Sequence, residues 1–405
     1  MTRGQWAPLC FLAVAMCAAE ASRAGVWGTQ PVVGLSGDYS SNPALLNVPH
    51  SAQTDAAALL DAPTTYQGDE FKLSILPQLR VSDRRGYSSI DSDYAHFLVR
   101  GEFDTERSAL SLSVGADRDS SLYRDYLTNG TAGVRRDTGT ADVDWSRRWT
   151  ERLKFAVDTS AVRVRFGSAA GTPTLTDYQY YAVKPTITWK QSEAGEIDLA
   201  AGAGRYDSLD RTTESRSEYA QLGYTRKLNE LWTLSAAAGY VHALNREDLA
   251  VPTLVITPSG PVIQGVARRL RFSQTGAVYS ASLIRRMERY SVSVQATRQL
   301  MPSGFAFLTR EDTYEIDWSY QKTDRLTFNG ALRRIKYQNP AAQGFVYDVT
   351  VSNVNLSASY RWTPHWTAAL AVTRVLEHVG SPAIAVAASN VSLTLSRQFG
   401  WSQLP

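Results

Sequence analysis

The chain has 405 residues, a formal net charge of +3 and a mean hydropathy of −0.26. That near-neutral balance, with no basic block, offers no phosphate track and excludes a nucleic-acid-binding role. A membrane-spanning helix needs roughly 20 consecutive apolar residues; only the N-terminus approaches that pattern, and its apolar run is too short.

In chain order, residues 1–24 come first. Arg3 precedes an apolar run from Leu9 to Ala19 and then small residues, the layout of a secretory signal cleaved after Ala21 or Ala24. Both cysteines, Cys10 and Cys17, fall inside it, so the mature chain carries no thiol for a disulfide or a metal site. Residues 25–69 form an N-terminal segment with one candidate strand, in which Val33, Leu35, Gly37 and Tyr39 alternate with other residues. No segment of plug-domain length precedes the strands, which reads against an energised siderophore-type transporter.

From residue 70 the pattern is sustained period-two alternation, the signature of half-buried strands. Phe71, Leu73, Ile75, Leu79 and Val81 share one face of 71–82, and Leu110, Leu112 and Val114 share one face of 108–116. Trp232, Leu234, Ala236, Ala238 and Tyr240 oppose Thr233, Ser235, Ala237 and Gly239. Tyr290, Val292 and Val294 oppose Ser291, Ser293 and Gln295, and Val391, Leu393 and Leu395 oppose Ser392, Thr394 and Ser396. One face is apolar; the other is small and polar.

Six tight polar turns punctuate these strands. In four of them an aromatic sits eight residues before the apolar residue that restarts the alternation: Trp145 and Leu153, Trp189 and Ile197, Tyr224 and Trp232, Trp318 and Leu326. Weaker copies lie at 285–290 and 360–366. The opposite connections, at 120–140, 167–177, 243–268, 302–312, 338–346 and 376–387, are long and rich in turn formers. Residues 251–256 and 262–266, around Pro258 and Pro261, read as a hairpin standing above a membrane. Short turns on one rim and long loops on the other are the asymmetry of a membrane-spanning β-barrel.

Aromatic placement agrees. Trp145, Trp149, Trp189, Trp232, Trp318, Trp362 and Trp366 lie at or beside the short turns, where an indole at headgroup level keeps its ring in lipid and its N–H wet. The fold expected is all-β: a transmembrane antiparallel β-barrel over 70–399 with about 16 strands, short periplasmic turns and long extracellular loops, followed by a C-terminal extension at 400–405. A spanning strand at 32–39 requires a partner within 42–68 and raises the count to 18.

Chemistry is sparse. The histidines are His50, His96, His242, His365 and His378, and none lies in a nucleophile elbow or an HExxH motif. His242, near the long-loop end of its strand, is the only candidate base for an outer-membrane hydrolase; a hydrated loop-edge imidazole is the plainer reading. Asp117 with Asp119, and Asp142 with Asp144, resemble fragments of a calcium loop, but no 12-residue loop completes them. The chain is read as a non-enzyme with no metal and no cofactor. Arginines outnumber lysines 35 to 7, which suits forked contacts to carboxylates and phosphates. Alternation places Lys72, Arg80, Arg100, Lys184 and Arg361 on the inward face, with Asp142, Asp144, Glu315 and Asp317. The run from Ala200 to Gly204 sits inside a strand, where small residues make room in a lumen.

With its aromatic-bounded turns, its signal and a last strand closing on Phe399, the chain resembles Gram-negative outer-membrane β-barrels. It departs from their terminal pattern because Arg397 replaces an apolar residue and 400–405 follows. The turn form Tyr-x-Arg-x-Leu-x-x-x-Trp, here Tyr224 to Trp232, is similar to barrels found with exopolysaccharide and exosortase (PEP-CTERM) systems. The resemblance implies the outer membrane as location. It implies outer-membrane lipid, lipopolysaccharide and the barrel assembly machinery as partners, with polysaccharide added by the narrower match. Functionally it points to a porin-like channel for hydrophilic solutes or exopolysaccharide export. The alternative is a non-conducting adhesion or scaffold barrel acting through loops that carry Tyr87, Tyr123 and Tyr126.

Overall fold

A computed structural model describes residues 25–43, 45, 51–86, 93–120, 134–167, 175–257, 260–304, 308–338, 348–379 and 384–404. The expected signal at 1–24 lies outside the described residues, as do His50, Tyr87, Tyr123 and Tyr126.

Every described element is a β-strand, and all belong to one sheet. In chain order they are β1 (Val26–Thr29), β2 (Val32–Ser40), β3 (Gln53–Asp61), β4 (Thr64–Gln67), β5 (Phe71–Gly86), β6 (Tyr94–Asp104) and β7 (Ser108–Ser120). Next come β8 (Arg135–Arg148), β9 (Leu153–Phe166), β10 (Tyr178–Lys190), β11 (Gly195–Ser208), β12 (Thr213–Lys227), β13 (Trp232–Thr257) and β14 (Gly260–Arg286). The last are β15 (Tyr290–Pro302), β16 (Leu308–Thr323), β17 (Leu326–Gln338), β18 (Asp348–Arg361), β19 (Trp366–Val379), β20 (Ile384–Gln398) and β21 (Trp401–Leu404).

Eighteen strands close the barrel, not the sixteen favoured from alternation. β2 and β3 belong to the ring: β20 pairs with β2 (Leu395 opposite Leu35), β2 with β3, and β3 with β5 (Leu60 opposite Leu79). All pairings are antiparallel, as an even, up-and-down ring demands. β3 escapes a pattern search because its lipid-facing residues are Thr54, Ala56, Ala58 and Leu60 and its inward ones include Ala57 and Leu59. Alanine on both faces erases the contrast that marks a strand.

β1, β4 and β21 continue β2, β3 and β20 past breaks at Gln30 and Pro31, Ala62 and Pro63, and Phe399 and Gly400, and β4 still pairs with Lys72–Ile75 of β5. Proline has no N–H to give a ladder, so neighbours bridge the gap: the Gln30 amide donates to Pro63 O (3.2 Å) and the Phe399 amide to Pro31 O (2.8 Å).

One rim carries connections of two to four residues, from 105–107 round to 362–365. The other carries 41–52, 87–93, 121–134, 167–177 and 339–347, with shorter connections at 209–212, 258–259, 303–307 and 380–383. Several loops are shorter than the composition implies, because strands run on beyond the membrane. β8 already begins at Arg135, and β19 and β20 leave only 380–383 between them. β13 and β14 stay paired up to Thr257 and Gly260, so the expected hairpin above the membrane is a direct continuation of the wall.

The largest exposed apolar side chains point outward: Leu35, Leu199, Leu222, Leu356 and Leu393 are each at least half exposed. Buried apolar side chains are concentrated near the long-loop mouth, in two clusters. Ile335, Tyr337, Val349, Val351, Val375, Val386 and Ala388 pack with Leu45 from the 41–52 connection. Across the barrel, Val164, Tyr178 and Tyr206 pack with Leu308.

Candidate functional site

The inward faces of β5 to β10 form an ionic wall. Arg100 Nε lies 2.8 Å from Glu102 Oε1, and Lys72 Nζ is 3.9 Å from the same carboxylate. Ser113 Oγ donates to Asp142 (3.0 Å), and Lys184 Nζ contacts Asp158 Oδ2 at 2.8 Å. Asp144 stands opposite Asp158 across β8 and β9. Arg80 Nη2 donates to Asp38 at 2.8 Å. On β16, Asp317 accepts from Ser293 Oγ (3.2 Å), and Glu315 stands opposite Gln295 and Arg333. Arg361 differs: its Nη2 donates to the Asp324 carbonyl (2.5 Å), which ties it to the short-turn rim.

Lys72, Arg80, Arg100, Asp142, Asp144, Lys184, Glu315 and Asp317 thus share the inward parity. Sequence reasoning missed the partners Asp38, Glu102, Asp158 and Asp198 and the pair of His96 with Asp117. Each sits at an inward position of its strand, so parity held the signal; cross-strand register, which pairs them, is not written in one strand alone.

Small residues seat aromatic rings on the inner wall. Gly202 faces the Tyr219 ring so closely that a Cβ would lie 2.3 Å from it, and Gly204 does the same beneath Tyr180 Oη (2.6 Å). The Ala200 to Gly204 run therefore makes space for tyrosines rather than leaving a void.

On the outside, the aromatics named above crowd the short-turn rim. The Trp149 ring stacks on Phe155 at 5.6 Å between centroids, with Trp145 edge-on to the same ring at 5.9 Å. Trp189 and Trp362 are exposed at 47% and 67%, the exposure of rings that meet lipid rather than core. Arg285 lies 5.3 Å over Trp232, and Trp318 covers Gly330. Arg397 sits 5.7 Å from Trp366 and 4.8 Å from Phe399, so the residue that departs from the terminal-strand pattern is absorbed by two cation–π contacts. A second aromatic level follows eight residues on, at Tyr181 on β10 and Tyr240 on β13, both exposed. That spacing is about 27 Å along a strand, or about 20 Å of depth at the usual tilt. Above it come forked exterior ion pairs, including Arg205 with Asp207 and Arg269 with Asp248.

Two inward folds narrow the outer mouth. Asn42 Nδ2 donates to the Ala387 carbonyl (3.2 Å) and anchors the stretch that brings Leu45 onto β17 to β20. Opposite it, Ser303 and Gly304 after β15 lean in: Tyr206 Oη donates to Ser303 O (3.2 Å) and the Thr176 amide to Gly304 O (2.8 Å).

His242 lies on the exterior, its Nδ1 3.0 Å from Thr275 Oγ1. Asp119 accepts both arms of Arg136 at 3.0 Å. Among the described residues no group of three or more His, Cys, Asp or Glu side chains could hold a metal ion.

No protein-family model matches the chain, and no curated protein matches its sequence. Solved structures do match its shape. The ferric citrate transporter FecA in its unliganded form aligns with a TM-score of 0.51 at 8% identity, over 92% of this chain and 78% of that one. OccK2 (OpdF) of Pseudomonas aeruginosa, in complex with glucuronate, gives 0.46 at 11% identity over 92% and 98%. OccAB3 of Acinetobacter baumannii gives 0.45 at 12% over 93% and 99%. The fold is that of outer-membrane β-barrels. Its aliphatic exterior between two aromatic levels belongs in that membrane.

Proposed function

We propose that the protein is an outer-membrane channel for hydrophilic solutes and not an enzyme. The observation that carries this is the inner wall: a closed ring whose inward face holds paired charges, amides and hydroxyls, the surface a water-filled path requires. FecA, which shares the fold, is a ferric citrate transporter, and its likeness supports a transport role. Exopolysaccharide is a narrower cargo, supported only by the Tyr224 to Trp232 turn resemblance. Lipopolysaccharide is proposed to meet the exterior charged belt, where Arg205 and Arg269 keep guanidinium N–H groups beyond those given to Asp207 and Asp248.

The test is single-channel recording of the folded protein in planar bilayers with KCl. Stepwise conductance is expected. A sample that shows the heat-modifiable gel shift of a folded barrel but never conducts would overturn the channel reading. The two inward folds at the mouth favour the second reading in that event, a closed scaffold barrel working through its outer loops.

A further inference from the structure

The lumen wall is not uniform. Opposite the ionic wall, the inward faces of β18, β19, β20 and β2 carry mostly amides and hydroxyls, with Asn355 Nδ2 donating to Thr373 Oγ1 at 2.9 Å and Asp38 of β2 paired with Arg80. At the outer end of this strip, beneath Asn42 and Leu45, lies a cavity of about 380 Å³. That volume is within the range of about 300–1,000 Å³ typical of small-molecule sites.

The cavity's hydrogen-bonding is lopsided. Gln53, 4% exposed, gives its Nε2 to both oxygens of Asp55 (2.8 and 3.0 Å), which fixes the amide with its oxygen on the other side. That Oε1 accepts no hydrogen bond, and neither do Asn353 Oδ1 and Asn390 Oδ1, all three buried. Buried acceptors left unsatisfied carry an uncompensated desolvation penalty, and the soft terminal torsions of the asparagines let their amides turn toward a donor. Charge is already spent: Arg80 is paired with Asp38, and Asp55 is taken by Gln53. The wall is thus richer in open acceptors than in open donors: three amide oxygens stand against one guanidinium Nε, that of Arg80. An anion would bring more acceptors, and a diammonium cation would face the Arg80 guanidinium. Leu45, Val375 and Ala388 add an aliphatic side suited to C–H groups.

We infer that this cavity binds a neutral polyhydroxylated solute, a saccharide of one or two rings, on its way through the barrel. The inference deepens the channel reading by naming a solute class and a station on the wall. Its experiment is saturation-transfer NMR on the full-length folded protein with glucose, galactose, maltose and cellobiose, with putrescine and glucuronate as charged comparators. At least one neutral sugar should bind saturably. The double variant Asn353→Ala/Asn390→Ala should weaken that binding about tenfold or more while the heat-modifiable gel shift of the folded barrel is kept. Should that double variant fail to fold, Gln53→Met, which keeps the side-chain length and removes the oxygen, is read in its place. Binding of none of the four sugars, binding of putrescine or glucuronate alone, or sugar binding unaltered in the folded variants would each overturn it. Sugar binding without conductance would overturn the channel reading and leave this site standing.

Discussion

At the scale of single residues, parity decides most of what a side chain does. Whether Asp142 or Trp145 sees the lumen or lipid turns on one odd or even step, which is why alternation alone assigns each side chain a face. What a residue touches was not legible in the chain. Trp318 lies over Gly330 on the adjacent strand, and a Cβ there would fall 2.1 Å from the indole Nε1. Gly330→Ala should therefore push the ring off the sheet and lower unfolding stability by about 1 kcal/mol, the scale of a cross-strand aromatic contact. Gly276→Ala, where a Cβ would meet nothing within 4 Å, should be neutral or slightly stabilising. Urea midpoints of the two variants in lipid vesicles make the comparison, and equal losses would remove the idea. Arg397 taught the opposite lesson: its charge looked like a fault in the last strand until Trp366 and Phe399 appeared beside it.

At the scale of elements, the chain advertised strands whose two faces differ and concealed those that do not. β7 was readable because leucine and serine alternate, and β13 because Trp232, Leu234 and Tyr240 mark one face; β3 was not, because alanine serves both faces with no aromatic to mark either. The hairpin of β13 and β14 was legible from its turn residues and runs far past the length of about 9–11 residues that spans a bilayer. Near its base Asp248 accepts a forked pair from Arg269 at 2.7 and 2.9 Å. The Arg269 guanidinium holds the Asp248 carboxyl below its usual range. A carboxyl lowered in the folded state contributes at neutral pH and loses that contribution only as pH falls through its depressed value. Carbon-detected titration of Asp248 should thus show a midpoint below the ordinary value of about 3.9, restored to it by Arg269→Gln. A midpoint indifferent to that substitution would show the fork to be inconsequential in solution.

At the scale of the whole molecule, the barrel class was legible because the strand–turn–strand unit repeats from 71 to 399. The strand count was not, since it depends on which strands become neighbours at the seam, a relation between residues more than 350 apart. Ser36 stands directly opposite Thr394 there. Ser36→Cys with Thr394→Cys should form an intramolecular disulfide on mild oxidation, read as a mobility change on a denaturing gel, because opposed positions place Cβ atoms about 4.5–5.5 Å apart. A sixteen-strand ring would leave that pair unlinked and join Thr394→Cys to cysteines on β5.

The seam between β2 and β20 also sets an order of events. Every other wall contact of β5 to β20 joins consecutive strands and can zip as the chain is delivered, whereas this one waits for both ends of the sheet. A polypeptide cut short before residue 384 would carry two raw edges into the periplasm with no mate for either. Completion of synthesis is then checked by geometry: only an intact product can hide its own margins.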